Sequence, residues 1–197
     1  SHGGTGDVDL PGAGGDPDRG EEAQHGHRAS LRRGLSNSPA GRDGTGPVPS
    51  AGMSDADAHL LVVRHGQSEW NAVGRWQGRA DPPLTSEGRR QAALAAKALG
   101  TFDAVVSSPL QRAAETAAII AEHLGIGPVL TDPDLMERDA GEWQGLTRTQ
   151  IETQWPGYLE HGKRPPAYES NESMVGRVVR ALSRVAEQAD GGEVLVV

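Results

Sequence analysis

The sequence of 197 residues contains no cysteine, which excludes disulfide bonds and thiolate metal sites. No run of about 18 apolar residues occurs, so no helix is predicted to cross a membrane. No charged stretch followed by an apolar one stands near the first residue, and no signal segment is predicted. These absences favour a cytoplasmic protein without a membrane partner.

Aromatic side chains are absent from residues 1–52, although the whole chain has four tryptophans, two tyrosines and one phenylalanine. The same segment holds 13 of the 27 glycines and 5 of the 13 prolines. It cannot bury enough apolar surface to offset its loss of conformational entropy. We therefore predict that residues 1–52 are disordered and that residues 53–197 form one domain. Met53 would suit a natural start, in which case the preceding segment is not native to the protein.

Basic residues are outnumbered by acidic ones, 19 to 27, and the formal net charge is −8. Like charges repel the phosphate backbone of nucleic acids, so we expect no nucleic-acid partner. His25 and His27 resemble a metal clip but have no third ligand at zinc spacing, and we predict no metal site.

From Leu60 onward, short apolar runs alternate with helical patterns. Strands are predicted at 60–63, 104–106, 128–130 and 194–197, and helices at 85–99, 108–124, 147–155 and 172–188. Thr85 is expected to cap one helix, and Ser108 the next, with Pro109 at its first position. Continuous apolar strands alternating with helices predict an α/β fold, a three-layer α/β/α sandwich with a mainly parallel sheet.

Chemically suitable side chains collect where the predicted strands end. Arg64 and His65 follow the first strand, and Arg112 lies in the first turns of the helix after the second strand. Sites in open α/β sheets form at this edge, and arginine forks and helix amino ends bind phosphoryl oxygens. Taken singly, His65 would be a hydrogen-bonded loop histidine, Arg112 a solvated helix charge, and Glu137 the partner of Arg138 in a local surface pair.

Four blocks of sequence, taken in order, closely resemble the histidine phosphatase superfamily, the phosphoglycerate mutase-like group. The blocks are RHGQSEWN at 64–71, QGRADPPLTSEG at 77–88, SSPLQRAAETA at 107–117 and ERDAGEWQGLT at 137–147. The resemblance extends over nearly all of residues 59–197 and includes none of residues 1–52.

The resemblance implies a role for each site residue. His65 would be the nucleophile that becomes phosphohistidine, while Arg64 and Arg112 would clamp the phosphate oxygens. Glu137 would protonate the leaving alkoxide and then act as base for the attacking water. The substrate pocket would also include Asn71, Gln77 and Gly78. No metal or other cofactor is implied, and members occur as monomers or homodimers.

These roles predict a phosphomonoesterase that acts on a small phosphorylated metabolite. The alternative is phosphoglycerate mutase-type phosphoryl transfer. Cofactor-dependent mutases carry a longer, arginine-rich insertion after the block at 137–147, whereas here only about 25 residues separate Thr147 from Glu172. A shorter lid shields the phosphoenzyme less from water, which favours hydrolysis. An alternative of another class is a catalytically silent fragment that at most binds phosphorylated ligands.

In this superfamily the strand that resembles residues 194–197 leads into a Ser/Thr/Ala-His-Gly-Gly stretch, which contributes the second histidine of the phosphate pocket. The sequence stops at Val197, before such a stretch, so we expect a truncated domain. The chain begins with Ser1-His2-Gly3-Gly4, and a circular permutation would place His2 in the pocket. Residues 5–11 do not continue as the expected apolar helix, so an incomplete or artificially joined reading frame is the favoured explanation.

Overall fold

The computed structural model describes residues 57–197. The predictions for residues 1–52, including His2, lie outside these residues. The strands are β1 (His59–Val62), β2 (Ala104–Ser107), β3 (Leu130–Thr131) and β4 (Glu193–Val196). The helices are α1 (Glu69–Ala72), α2 (Ser86–Ala98), α3 (Gln111–Leu124), α4 (Arg148–Gln154) and α5 (Asn171–Ala189). None of these five helices is both long and apolar enough to span a membrane.

All four strands lie parallel in one sheet, in the order β1-β4-β2-β3. The predicted parallel sheet is therefore confirmed. β4 is central, and Leu195 is fully buried between its neighbours. β1 lies at one edge, where Leu61 is 43% exposed and Val62 is 65% exposed.

Apolar side chains pack on both faces of the sheet, because successive residues of a strand point to opposite sides. On one face, Val105 and Leu195 pack with residues of α2 and α3. On the other face, Val106 and Val194 pack with Val185 of α5. The sheet thus lies between two helical layers, which confirms the predicted three-layer α/β/α sandwich.

The two predicted helix caps have different outcomes. Thr85 caps α2, and its hydroxyl accepts a hydrogen bond from Gly88 N–H at 3.0 Å. The prediction for Ser108 is wrong, because α3 begins at Gln111 and its capping residue is Leu110. Ser108 N–H donates to Val197 O at 2.9 Å. The extended backbone of β2 therefore continues to Ser108, where the local sequence predicts a helix start.

Candidate active site

The loop after β1 is held by close backbone packing between two helices. Gly66 N–H donates to Thr116 Oγ1 on α3 at 3.1 Å, and Thr116 Oγ1 donates to Arg112 O at 2.7 Å. On the other side, a Cβ at Gly66 would lie 2.3 Å from Gly88 O on α2. No side chain fits against a backbone oxygen at that distance. Glycine at position 66 therefore allows the loop to seat His65 at the carboxyl end of the sheet.

The His65 ring is oriented by one contact to each nitrogen. Nδ1 lies 2.6 Å from Gly66 O, and Arg112 Nε donates to Nε2 at 3.2 Å. A carbonyl oxygen only accepts, so this network assigns the ring hydrogen to Nδ1 and leaves the lone pair on Nε2. Nε2 is thus the nucleophilic atom of the ring, and it faces a cation.

The surroundings of His65 favour its neutral form. Burial lowers the pKa of His65 below its usual value of 6.5. The Gly66 carbonyl opposes this shift, the charges of Arg112 and Arg64 lower the pKa further, and Glu137 raises it. A neutral imidazole keeps the Nε2 lone pair available for attack on an electrophile at neutral pH.

We expect the His65 ring to titrate below pH 6.5 in an NMR titration, with its signal assigned by comparison with His65→Asn. Arg64→Gln should move the midpoint upward, since one of the cations that disfavour imidazolium is then gone. Arg90→Gln is the control, because Arg90 is exposed and pairs with Glu87 at 2.7 Å; it should leave the midpoint in place. A wild-type midpoint at or above 6.5 would contradict this account.

Arg112 is a buried cation and not the solvated helix charge that its position alone suggested. Its side chain is in the first turn of α3, and the residue is 1% exposed. Its two terminal nitrogens donate to Ala80 O at 2.8 Å and to Gly78 O at 2.9 Å. Desolvation lowers the pKa of Arg112, whereas Glu137 and Asp81 raise it. These contacts hold the guanidinium with Nε directed at His65.

A cavity of about 300 Å³ opens beside the His65 ring. Six residues predicted for the site line it, namely Arg64, His65, Asn71, Gln77, Gly78 and Glu137. Arg112 lies behind this lining and contacts two of its members, His65 through Nε and Gly78 through a terminal nitrogen. Across residues 57–197, no group of three or more His, Cys, Asp or Glu side chains could hold a metal ion.

The pocket residues of the first two sequence blocks are tied to one another through Ser68. The buried Ser68 N–H donates to Asn71 Oδ1 at 3.2 Å, and its hydroxyl donates to Gln77 Oε1. Gly78 has a positive φ of +54°, and a Cβ there would lie 2.7 Å from Ala140 N. Through their side-chain oxygens, Asn71 and Gln77 therefore both hold the pocket wall to Ser68.

The loop that carries Glu137 is held from α5 by Arg177, a residue that the sequence analysis missed. Arg177 is 7% exposed and donates to Asp134 O at 2.8 Å and to Glu137 O at 3.1 Å. Its Nε and NH2 bind both carboxylate oxygens of Glu169 at 2.8 and 2.7 Å. The sequence contains one indication of this role. Arg177 lies four residues before Ala181, so both fall on the same buried face of α5.

Arg177→Met should destabilise the fold by about 3–5 kcal/mol, because it removes the bidentate partner of the buried Glu169 carboxylate and leaves Arg79, at 3.5 Å, as its ion-pair partner among residues 57–197. Hydrogen bonds from Arg177 lower the pKa of Glu169 to about 2, so this carboxylate is charged at every ordinary pH. The same substitution also removes the hydrogen bonds from Arg177 to the carbonyl oxygens of Asp134 and Glu137. Urea denaturation would measure the loss of stability.

Arg180→Met is the matched control for that prediction. Arg180 lies on α5 as well, is exposed, and has no ion-pair partner among residues 57–197. Exposed substitutions of this kind usually change stability by no more than about 0.5 kcal/mol. Equal urea midpoints for the Arg177 and Arg180 variants would show that the buried pair does not stabilise the loop.

Further cavity-lining residues were not predicted for the site: Arg75, Trp76, Arg138, Ala140 and Tyr168. Trp143 is fully buried and packs edge-on against both Trp76 and Tyr168, with ring centroids 5.1 and 5.7 Å away. Arg138 lies over the Tyr168 ring at 5.5 Å. Trp76 and Tyr168 lie outside the regular helices and strands, and only the folded chain shows that both line the cavity.

Comparison with known proteins connects this geometry to one family. The model for the histidine phosphatase superfamily (branch 1) matches residues 60–197. A bifunctional protein of Mycobacterium tuberculosis is 38% identical over 154 residues, which cover 74% of this chain and 42% of the relative. The chain therefore spans less than half the length of that relative.

Two further relatives have names that state an activity. Glucosyl-3-phosphoglycerate phosphatase of Mycobacterium tuberculosis is 43% identical over 134 residues, 65% of this chain and 59% of the relative. A 2,3-bisphosphoglycerate-dependent phosphoglycerate mutase of Methylobacterium radiotolerans is 36% identical over 132 residues, 61% of this chain and 62% of the relative.

Solved structures share the fold. YhfR of Bacillus stearothermophilus is 31% identical with a TM-score of 0.65, and the match covers 71% of this chain and 72% of that one. The mycobacterial glucosyl-3-phosphoglycerate phosphatase in its complex with VO3 is 35% identical with a TM-score of 0.59, over 70% of this chain and 72% of that one.

Proposed function

The chain belongs to the histidine phosphatase superfamily, branch 1, and from this premise we propose that it hydrolyses a small phosphorylated metabolite through a phosphohistidine intermediate. One observation carries the proposal. His65 Nε2 has its lone pair beside Arg112 Nε at 3.2 Å, at the wall of a cavity that Glu137 also lines. A nucleophile, a cation and a carboxyl group thus meet at one cavity.

In the proposed first step, His65 Nε2 attacks phosphorus and the bond from phosphorus to the ester oxygen breaks. The Gly66 carbonyl stabilises the positive charge that develops on the ring, through its contact with Nδ1 at 2.6 Å. Arg112 Nε turns from the ring nitrogen to a phosphoryl oxygen, and Arg64 binds a second oxygen. Glu137 gives its proton to the leaving alkoxide. Donors aimed at transition-state charge contribute ~10²–10³ each in rate.

In the proposed second step, Glu137 is a carboxylate and removes a proton from water as the water attacks phosphorus. The phosphorus–nitrogen bond breaks, and His65 regains its neutral form with inorganic phosphate as the product. Splitting the transfer in this way replaces one difficult displacement by two easier ones. Glu137 is exposed, so water reaches the reacting atoms without a lid having to open.

Phosphoglycerate mutase-type transfer is the second candidate, since one relative has that name. In such transfer, a hydroxyl group of an acceptor molecule takes the place of water in the second step. The exposed position of Glu137 favours water. A related protein whose solved structure contains VO3, an oxyanion like phosphate, has the name of a phosphatase, and this name supports hydrolysis.

The test is turnover of p-nitrophenyl phosphate by the full chain, together with an acid-free quench that preserves the labile phosphorus–nitrogen bond. We expect release of inorganic phosphate and a phosphoenzyme signal on His65 by mass spectrometry. Transfer of the phosphoryl group to added phosphoglycerate, with little free phosphate, would favour the mutase instead. A folded chain that gives neither product would overturn the proposal.

A further inference from the structure

The donors of Arg177 are all engaged inside the protein. A guanidinium group has five N–H donors. Two of those on Arg177 bind the Glu169 carboxylate. The other three bind backbone carbonyl oxygens, those of Asp134, Met136 and Glu137. Arg177 does not line the cavity that Glu137 lines, so any effect of Arg177 on turnover is exerted through the residues it holds.

The buried partner of Arg177 holds the same loop at a further point. The Glu169 carboxylate accepts a hydrogen bond from Asp139 N–H at 3.2 Å, and Glu169 N–H donates to Asp139 O at 3.0 Å. The carboxylate is itself fixed to α5 by the Arg177 fork and by the Ser173 hydroxyl, which donates at 3.1 Å. Arg177 and Glu169 thus hold the backbone from residue 134 to residue 139, on both sides of Glu137.

The Glu137 carboxyl depends on that backbone for its position. Its side chain is exposed and accepts a hydrogen bond from Arg138 N–H at 2.7 Å. Because this donor is the next residue of the same loop, the contact moves with the loop and does not fix a distance to His65. A general acid must lie within hydrogen-bond reach of the oxygen that it protonates. A displacement of about 1 Å can cost about 100-fold in rate.

Resting on the proposed function, we propose that Arg177 and Glu169 are positioning residues, which place the Glu137 carboxyl at the leaving oxygen of the substrate. A pair that only stabilised the fold would change the amount of folded protein, and so the turnover of every substrate by the same factor. A positioning pair affects chiefly those substrates whose leaving group must be protonated. Alkyl phosphates have this need and p-nitrophenyl phosphate does not, because nitrophenolate leaves as an anion.

The test uses the ratio of kcat/KM for an alkyl phosphate to kcat/KM for p-nitrophenyl phosphate, measured within each variant of the full chain. Unfolded molecules hydrolyse neither substrate, so the ratio does not depend on the fraction folded. Arg177→Lys keeps the charge beside Glu169 but provides three donors in place of five. It should lower the ratio by about 10- to 100-fold. Glu169→Gln keeps the shape of the side chain and should act in the same direction; wild-type ratios in both variants would overturn the inference.

Arg184→Met is the matched control for these variants. Arg184 also lies on α5, and it binds the Asp132 and Asp134 carboxylates at 2.7 and 2.9 Å. Among residues 57–197 its hydrogen bonds go to these side chains and not to the backbone beside Glu137. The variant should lower the urea midpoint and leave the ratio unchanged. A ratio as low as that of Arg177→Lys would mean that any weakening of this segment has the same effect, which would contradict a specific role for Arg177.

A double variant decides whether the pair acts through Glu137. If it does, Arg177→Lys added to Glu137→Gln should lower the ratio no further, because the acid whose position it disturbs is already absent. A further loss of about 10-fold in the double variant would show that Arg177 acts by another route. The positioning role would then be wrong.

The two proposals fail in different ways. If the folded wild-type chain hydrolyses no phosphomonoester, the proposed function is wrong. If Glu137→Gln lowers the ratio while Arg177→Lys and Glu169→Gln do not, the proposed function stands and the inference about Arg177 and Glu169 is wrong.

Discussion

His65→Ala should lower kcat for p-nitrophenyl phosphate by at least about 10³-fold, because the covalent route loses the atom that accepts the phosphoryl group. The phosphoenzyme signal should disappear at the same time. Steady-state turnover and mass spectrometry of the quenched protein measure the two effects. The ring bonds to the neighbouring Gly66 carbonyl and to Arg112 Nε, and Arg112 keeps its bonds to Ala80 O and Gly78 O, so removal of the ring should leave the fold largely intact.

His123→Ala is the control, since it makes the same change at an exposed position in the last turn of α3. Its turnover should match that of the wild type. Retention of a phosphoenzyme in His65→Ala would mean that another residue is the nucleophile, and the proposed mechanism would then fail. Loss of the phosphoenzyme with unchanged turnover would point to direct attack by water.

Glu137→Gln should lower kcat/KM by ~10²–10⁴ for an alkyl phosphate, the usual contribution of a positioned acid. The loss should be much smaller for p-nitrophenyl phosphate, because nitrophenolate leaves without being protonated. Glutamine keeps the side-chain oxygen that accepts Arg138 N–H at 2.7 Å, so the loop should keep its conformation. The quantity kcat/KM reports phosphoryl transfer to His65 and excludes later hydrolysis of the intermediate.

Glu142→Gln is the matched control, at an exposed position in the short 3-10 helix Gly141–Trp143. It should leave both substrates unaffected. An equal loss of kcat/KM for alkyl and p-nitrophenyl phosphate in Glu137→Gln would show that Glu137 does not protonate the leaving group. In that case its proposed role in the first step would be wrong.

The helices and strands that the sequence predicts correctly are those that depend on interactions between residues close together in the chain. Thr85 begins α2 because its hydroxyl satisfies a free N–H three residues away, an interaction contained in a short stretch of sequence. The apolar run at 194–197 is long enough and bounded sharply enough to be recognised as a buried strand. The start of α3 was misjudged because Ser108 is held by Val197, a residue far away in the chain.

By itself, the sequence determined the fold class and the family, because both can be recognised from short-range features of the chain. These are the period of apolar residues and four blocks of residues that keep their order. It also identified the residues proposed to react, since His65 and Glu137 lie within those blocks.

Only the tertiary structure decided the surroundings of those residues. Arg112 has partners 32 to 47 residues away, and Arg177 reaches carbonyl oxygens 40 to 43 residues away. No periodic pattern specifies such contacts, because they arise when separate loops meet at one edge of the sheet. For the same physical reason, only the folded chain shows that Arg75 and Arg138 line the cavity beside His65.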